Sequence, residues 1–235
     1  RLYAPTGVSM RIFEPSAAAP LTREDSVSNG VRTTTWRVHD IPPLPHEPAE
    51  PPPWLVGRCW LFSDGDWSEY ARRLDEALQG ATAAGSSHTA RLAQEIAPES
   101  LPIARRIQAI RDAVAKHVRE AGPNPFTLPL AELTSPDRVW SDGYGHNTDR
   151  AILLYAMLRA IGLQPSWIPA TAVPAEVAEQ APFVHFPWLA PFDRLLVRVR
   201  DPQGREILLN DTDQYAPLGA SPSWGSLAFD LVGGR

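Results

Sequence analysis

The stretch Gly145-His146-Asn147-Thr148-Asp149-Arg150-Ala151-Ile152-Leu153-Leu154-Tyr155-Ala156-Met157-Leu158-Arg159-Ala160-Ile161-Gly162 decides the reading of this chain. From Asn147 to Ile161 it is apolar on nearly every face, which predicts a central helix buried on all sides. Asn147 or Thr148 suits the N-cap, Asp149 complements the positive end of the helix, and Gly162 suits the residue just past its end.

Upstream, Ile103, Ile107, Ile110, Val114 and Val118 recur at helical spacing. They predict an amphipathic helix running to about Glu120, stopped by Gly122-Pro123. Another helical period begins after Asp66, with Trp67, Tyr70, Ala71, Leu74, Ala77 and Leu78 on one face. Gly80 to Ser87 reads as a flexible break, His88 to Ile96 as a short helix, and 123–146 as irregular. Downstream come three strands, Ser166 to Ala170, Arg194 to Arg200 and Glu206 to Leu209. The last two are joined as a hairpin by Asp201-Pro202-Gln203-Gly204.

The first 62 residues differ in character. Arg32 to Val38 is the clearest strand, and Ser28-Asn29-Gly30 before it is a turn signal. The prolines between Ile41 and Pro53 exclude helix and central strand, so that stretch reads as an extended connector. Trp54 to Phe62 reads as one more strand. The chain thus divides into a β-rich N-terminal region with its connector, 1–62, and a larger domain, 63–235. Helices followed by antiparallel strands make the fold class α+β.

Composition sets outer bounds. The chain has 235 residues, 43% hydrophobic and 21% charged, with a net charge of −5. That supplies one core and excludes both a disordered chain and a basic nucleic-acid binder. No apolar run approaches the roughly 18 residues of a membrane-spanning helix. The 25 prolines, and Lys116 as the single lysine among arginines, fit a bacterial genome of high GC content. Cys59 is the one cysteine, which excludes an intrachain disulfide and reads as a buried, inert thiol. Because the chain begins at Arg1, the expectation is a piece of a longer precursor, with a lean toward an exported or periplasmic protein.

Three motifs carry a resemblance. Gly145-His146-Asn147-Thr148-Asp149-Arg150-Ala151 with the helix after it, Phe192-Asp193-Arg194-Leu195-Leu196-Val197, and Leu208-Leu209-Asn210-Asp211-Thr212 resemble the motifs of transglutaminase-like proteins. The resemblance covers about 140–219 and implies a papain-like domain, a helical lobe packed on an antiparallel sheet. Residues 1–62 resemble the end of the β-sandwich domain that often precedes it. In that family a cysteine opens the central helix, where the helix dipole favours thiolate. A histidine on a strand takes its proton, and an aspartate on the next strand orients the histidine. Matched residue by residue, these positions hold Asn147, Arg194 and Asn210 here. A carboxamide is not a nucleophile at neutral pH, and a guanidinium stays protonated and accepts no proton.

The resemblance with its changed positions therefore points to a catalytically inactive module that binds another protein or peptide, with no cofactor. Cleft candidates are Tyr144, His146, Asp149, His185, Trp188, Asp193 and Asp211. Asn147 reads as an N-cap or as a ligand-binding amide. Arg194 reads as the partner of Asp149, Asp193, Asp211 or Asp213, or as a carboxylate anchor. His146 reads as an exposed loop residue, and the aromatic run Phe183 to Phe192 as a binding surface or a packed loop. Asp211 and Asp213 with His146 lack metal-ligand spacing, so no metal site is expected. Two rivals remain: a hydrolase or acyltransferase using His146, His185, Asp193 and Asp211, and a peptide- or glycan-binding groove walled by Trp188 and Tyr144.

Overall fold

The computed structural model describes residues 1–14, 21–40, 61–63, 65–123, 126, 129–178, 181–187, 189, 191–210 and 215–231. The proline connector, Cys59 and the strand expected over 54–60 lie outside them. The chain forms two compact units, Arg1–Tyr70 with Glu176–Trp188, and Ala71–Ala175 with Leu189–Arg235.

The first unit is built on strands β1 (Leu2–Pro5), β2 (Arg11–Phe13), β3 (Leu21–Ser28), β4 (Val31–Val38) and β5 (Leu61–Ser63). Three of them make an antiparallel sheet in the order β1-β4-β3, and β2 pairs with β5. The β3–β4 turn is Asn29-Gly30, with φ of 50° and 73°. Positive φ at both central residues suits a tight hairpin, which is why Asn-Gly stands there. Across the hairpin Arg37 meets Glu24 at 2.6 Å, and the buried hydroxyl of Thr34 donates to Asp25 at 2.5 Å. Phe183 and Phe186 are buried in this unit, so that part of the aromatic run is packing rather than open surface.

The second unit holds the central helix. Helix α1 (Trp67–Ala83) crosses from the first unit; α2 (Ser87–Ile96), α3 (Ile103–His117), α4 (Pro136–Asp142) and α5 (Asn147–Ala160) follow. Every residue from Ala151 to Leu158 is buried, as the apolar composition of α5 requires. This helix packs against α2, α3 and α4 on one side and the sheet on the other. In α3 the stripe Ile107, Ile110 and Val114 is wholly buried.

The sheet comprises β8 (Ser166–Pro174), β9 (Phe192–Arg200), β10 (Glu206–Leu209) and β11 (Ser226–Ala228), antiparallel in the order β10-β9-β8-β11. Trp167 stands opposite Val197, and its ring stacks on Tyr155 of α5 at 3.9 Å. Alternation puts Ile168, Ala170 and Leu196 on the other face, where they form their own cluster. Two short strands, β6 (Arg119–Glu120) and β7 (Tyr144–Gly145), run parallel and join the end of α3 to the entry of α5. Helices on an antiparallel sheet give the α+β class expected from the sequence.

Four local expectations are corrected. Helix α1 continues through Gly80 to Ala83. Glycine costs a helix about 1 kcal/mol relative to alanine, which the burial of Leu74 and Leu78 in the same helix outweighs. The stretch read as irregular contains α4, which has Pro136 in its first turn and Gly143 in the left-handed conformation past its end. Strand β8 extends to Pro174, and β11 pairs with it. The N-cap of α5 is His146; Asn147 is already helical.

Candidate functional site

The site expected at the start of α5 is built where β10 stops. Its last rung pairs Leu209 with Val197. Asn210 then turns away with φ of 86°, a conformation that asparagine tolerates better than most residues. Two residues further along β9, the backbone of Leu195 lies beyond the reach of β10. Two side-chain amides take the place of the missing strand. The N–H of Leu195 donates to Oδ1 of Asn147 at 2.7 Å, and Nδ2 of Asn210 donates to the carbonyl of Leu195 at 2.8 Å. Nδ2 of Asn210 also donates to the carbonyl of Asn147 at 2.9 Å, and Nδ2 of Asn147 donates to the carbonyl of Asn210 at 3.5 Å. Both asparagines are 3% exposed. Buried backbone groups need partners, and here carboxamides supply them.

Asn147 therefore caps no helix; its side chain is committed to β9. Arg194 is half-buried and stands opposite Ala170. By the pleat it shares the face of Ala170 and Leu196, opposite the face that carries Trp167 and Val197. Asp149 is held by others: the N–H of Thr134 donates to its Oδ1 at 3.0 Å, and Nε2 of His146 lies 3.2 Å from its Oδ2. The expected pairing of Arg194 with Asp149 is thus not formed, because Asp149 is turned toward the 134 loop. Oδ1 of Asp193 is buried with no hydrogen-bond partner among the described residues.

His146 differs from the exposed loop residue anticipated. Its side chain is 12% exposed, with Nε2 3.2 Å from Oδ2 of Asp149. Nδ1 is buried with no partner among the described residues. Gly145 makes this packing possible: a Cβ there would lie 2.9 Å from Cβ of Asp149. Next to the dyad, Arg150 pairs with Glu120 at 3.0 Å, and burial pulls its guanidinium below the usual range while Glu120 acts the other way.

The dyad lies on the wall of a cleft of about 550 Å³ within the second unit. Tyr144, Glu132, Thr134, Ser135, Arg138 and Asp142 also line it. Of these only Tyr144 is among the residues singled out from the sequence. The others sit on or just before α4, and the N-terminal signature Ser135-Pro136-Asp137 is the signal that finds that helix. His185 belongs to the first unit, is exposed, and accepts a bond from Arg11 through its carbonyl. Trp188, Asp211 and Asp213 lie outside the described residues. Among the described residues no group of three or more His, Cys, Asp or Glu is placed to hold a metal ion. Nor is any helix among them long and apolar enough to cross a membrane.

No protein-family model matches the sequence, and no curated protein does. Among solved structures the chain is similar to a "putative protease" from Parabacteroides distasonis ATCC 8503. The TM-score is 0.73 at 17% identity, over 97% of this chain and 42% of that one. The chain therefore spans less than half the length of that protein. It is also similar, with a TM-score of 0.44 and 14% identity, to a "putative cysteine protease" from Cytophaga hutchinsonii, over 97% of this chain and 70% of that one. The α+β fold, helices packed on an antiparallel sheet, is thus one that this chain shares with the Parabacteroides protein.

Proposed function

We propose that this chain is a non-catalytic binding module, a papain-like, transglutaminase-like domain that keeps the architecture of a thiol enzyme and uses it to hold a protein or peptide partner. One observation carries the reading: the carboxamide of Asn147 and the amide nitrogen of Asn210 are spent on each other's backbone and on the backbone of Leu195. A nucleophile at the start of α5 needs a free, activated atom and a base within reach. Here that position holds a carboxamide whose oxygen already accepts a bond and whose nitrogen is a donor only. None of the groups in this network titrates near neutral pH.

The test is enzymatic and direct. The purified chain is assayed for amine incorporation into glutamine-bearing casein and for cleavage of a fluorogenic peptide mixture. The expected result is no turnover above a heat-treated control. Turnover that disappears in Asn147→Ala, with the variant still folded, overturns the proposal.

A second reading, hydrolysis by a different residue set, draws on the His146–Asp149 dyad beside the cleft. Against it, Nε2 faces Asp149 and Nδ1 is buried, so neither nitrogen is presented to a substrate in the cleft. Hydrolysis lost in His146→Gln but retained in Asn147→Ala would favour this reading over a binding module.

A further inference from the structure

We infer that the cleft bounded by α4, β7 and the start of α5 binds a polyhydroxylated ligand, the sugar rings of an oligosaccharide. This goes beyond the non-catalytic reading and does not rest on it, since none of its rim residues belongs to the Asn147–Asn210 network. The volume, about 550 Å³, falls in the range of about 300–1,000 Å³ found for small-ligand sites.

One wall is fixed and the rim is exposed. Asp149 is held in place by Thr134 and His146, so that wall is organised before any ligand arrives. The rim carries Tyr144, 60% exposed on β7, and Arg138, Asp142 and Glu132, all exposed. An exposed aromatic ring offers a flat apolar face of the kind a sugar ring covers with its C–H groups. Beside it, Arg138 donates only and Asp142 accepts only, and Thr134 and Ser135 line the same wall with hydroxyls.

Charge decides between a sugar and a cation. Asp142 already faces Arg138 at 3.4 Å, and Asp149 faces His146. An incoming ammonium or guanidinium would compete with the guanidinium of Arg138 for Asp142. A hydroxyl donates to a carboxylate and accepts from a guanidinium at once, so it adds to the existing pair without breaking it.

The experiment is calorimetric titration of the chain with cellohexaose, maltohexaose, xylohexaose and chitohexaose, and with hexa-arginine as the cationic competitor. Binding of at least one oligosaccharide is expected. Tyr144→Ala and Arg138→Ala should each weaken it by about tenfold or more, the scale of losing a well-packed aromatic or arginine anchor. Trp224→Ala, which removes an exposed aromatic outside the cleft, should leave it unchanged. All three side chains are exposed, and the fold of each variant is checked by its unfolding midpoint. No heat with any of the four sugars at millimolar concentration overturns the inference. So does sugar binding that survives both cleft variants, or that is lost in Trp224→Ala. Hexa-arginine binding abolished by Glu132→Gln, with no sugar binding, replaces it with a basic-peptide site.

Discussion

Asn210 holds the carbonyl of Leu195 at 2.8 Å, in the position where a longer β10 would have placed its own N–H. Its partner Asn147 does the same for the N–H of Leu195. The pair completes a sheet edge next to a helix N-terminus, a place where unpaired backbone would otherwise be buried.

Truncating either amide should therefore be costly. Asn147→Ala leaves the N–H of Leu195 buried without an acceptor, at a loss of about 1–3 kcal/mol. Asn210→Ala should lose a similar amount, and the double variant less than the sum, since the two share partners. Urea unfolding of the four proteins measures this. Additive losses would show that the residues act independently.

Asn147→Asp keeps the acceptor and adds a buried charge. Burial raises the pKa of an uncompensated carboxyl, so the folded state binds a proton that the unfolded chain releases near its ordinary pKa of about 3.9. The variant should be close to wild type at pH 4 and progressively weaker as pH rises toward 7. Equal stability at both values would place an unseen donor beside this residue.

Asp137 links α4 to α2. Its carboxylate accepts from the N–H of Thr89 at 2.8 Å, the N–H of His88 at 3.1 Å and the hydroxyl of Thr89 at 2.9 Å. Burial pushes its pKa up, but these bonds outweigh it and hold the carboxyl below the usual range. Asp137→Ala should cost about 1 kcal/mol, as for a lost helix cap. With the folded pKa depressed, that contribution is complete above the unfolded value of about 3.9 and is lost as pH falls through the folded one. The gap between wild type and variant should close in acid; a gap that persists there assigns the effect to packing.

Two glycines should respond in opposite ways. Gly145→Ala drives a methyl against Asp149 and should lower stability by about 1–3 kcal/mol while disturbing the His146 contact. Gly80→Ala, in the last turn of α1 with open space around it, should raise stability by about 0.5–1 kcal/mol. Thermal melts of both decide the matter, and a destabilised Gly80→Ala would contradict the helix as described.

What the sequence revealed followed local pattern. The all-round apolarity of 151–158 gave the buried helix, the stripe of α3 gave its inward face, and Asn29-Gly30 gave the hairpin. What stayed hidden depended on distant partners. Asn147 has a capping residue's chemistry, but the open edge of β9, 48 residues away, is the stronger claimant for its amide. His146 looked solvent-exposed because nothing local shows that Asp149 will turn back toward it. The three-residue strand β11 is too short for any pattern to declare it.

The side-chain grip on Leu195 has a consequence for measurement. Elsewhere along β9, deuterium uptake by the amides follows the opening of neighbouring strands. At Leu195 the proton is released when one asparagine swings aside, so its exchange rate reports on a single rotamer within an otherwise closed sheet.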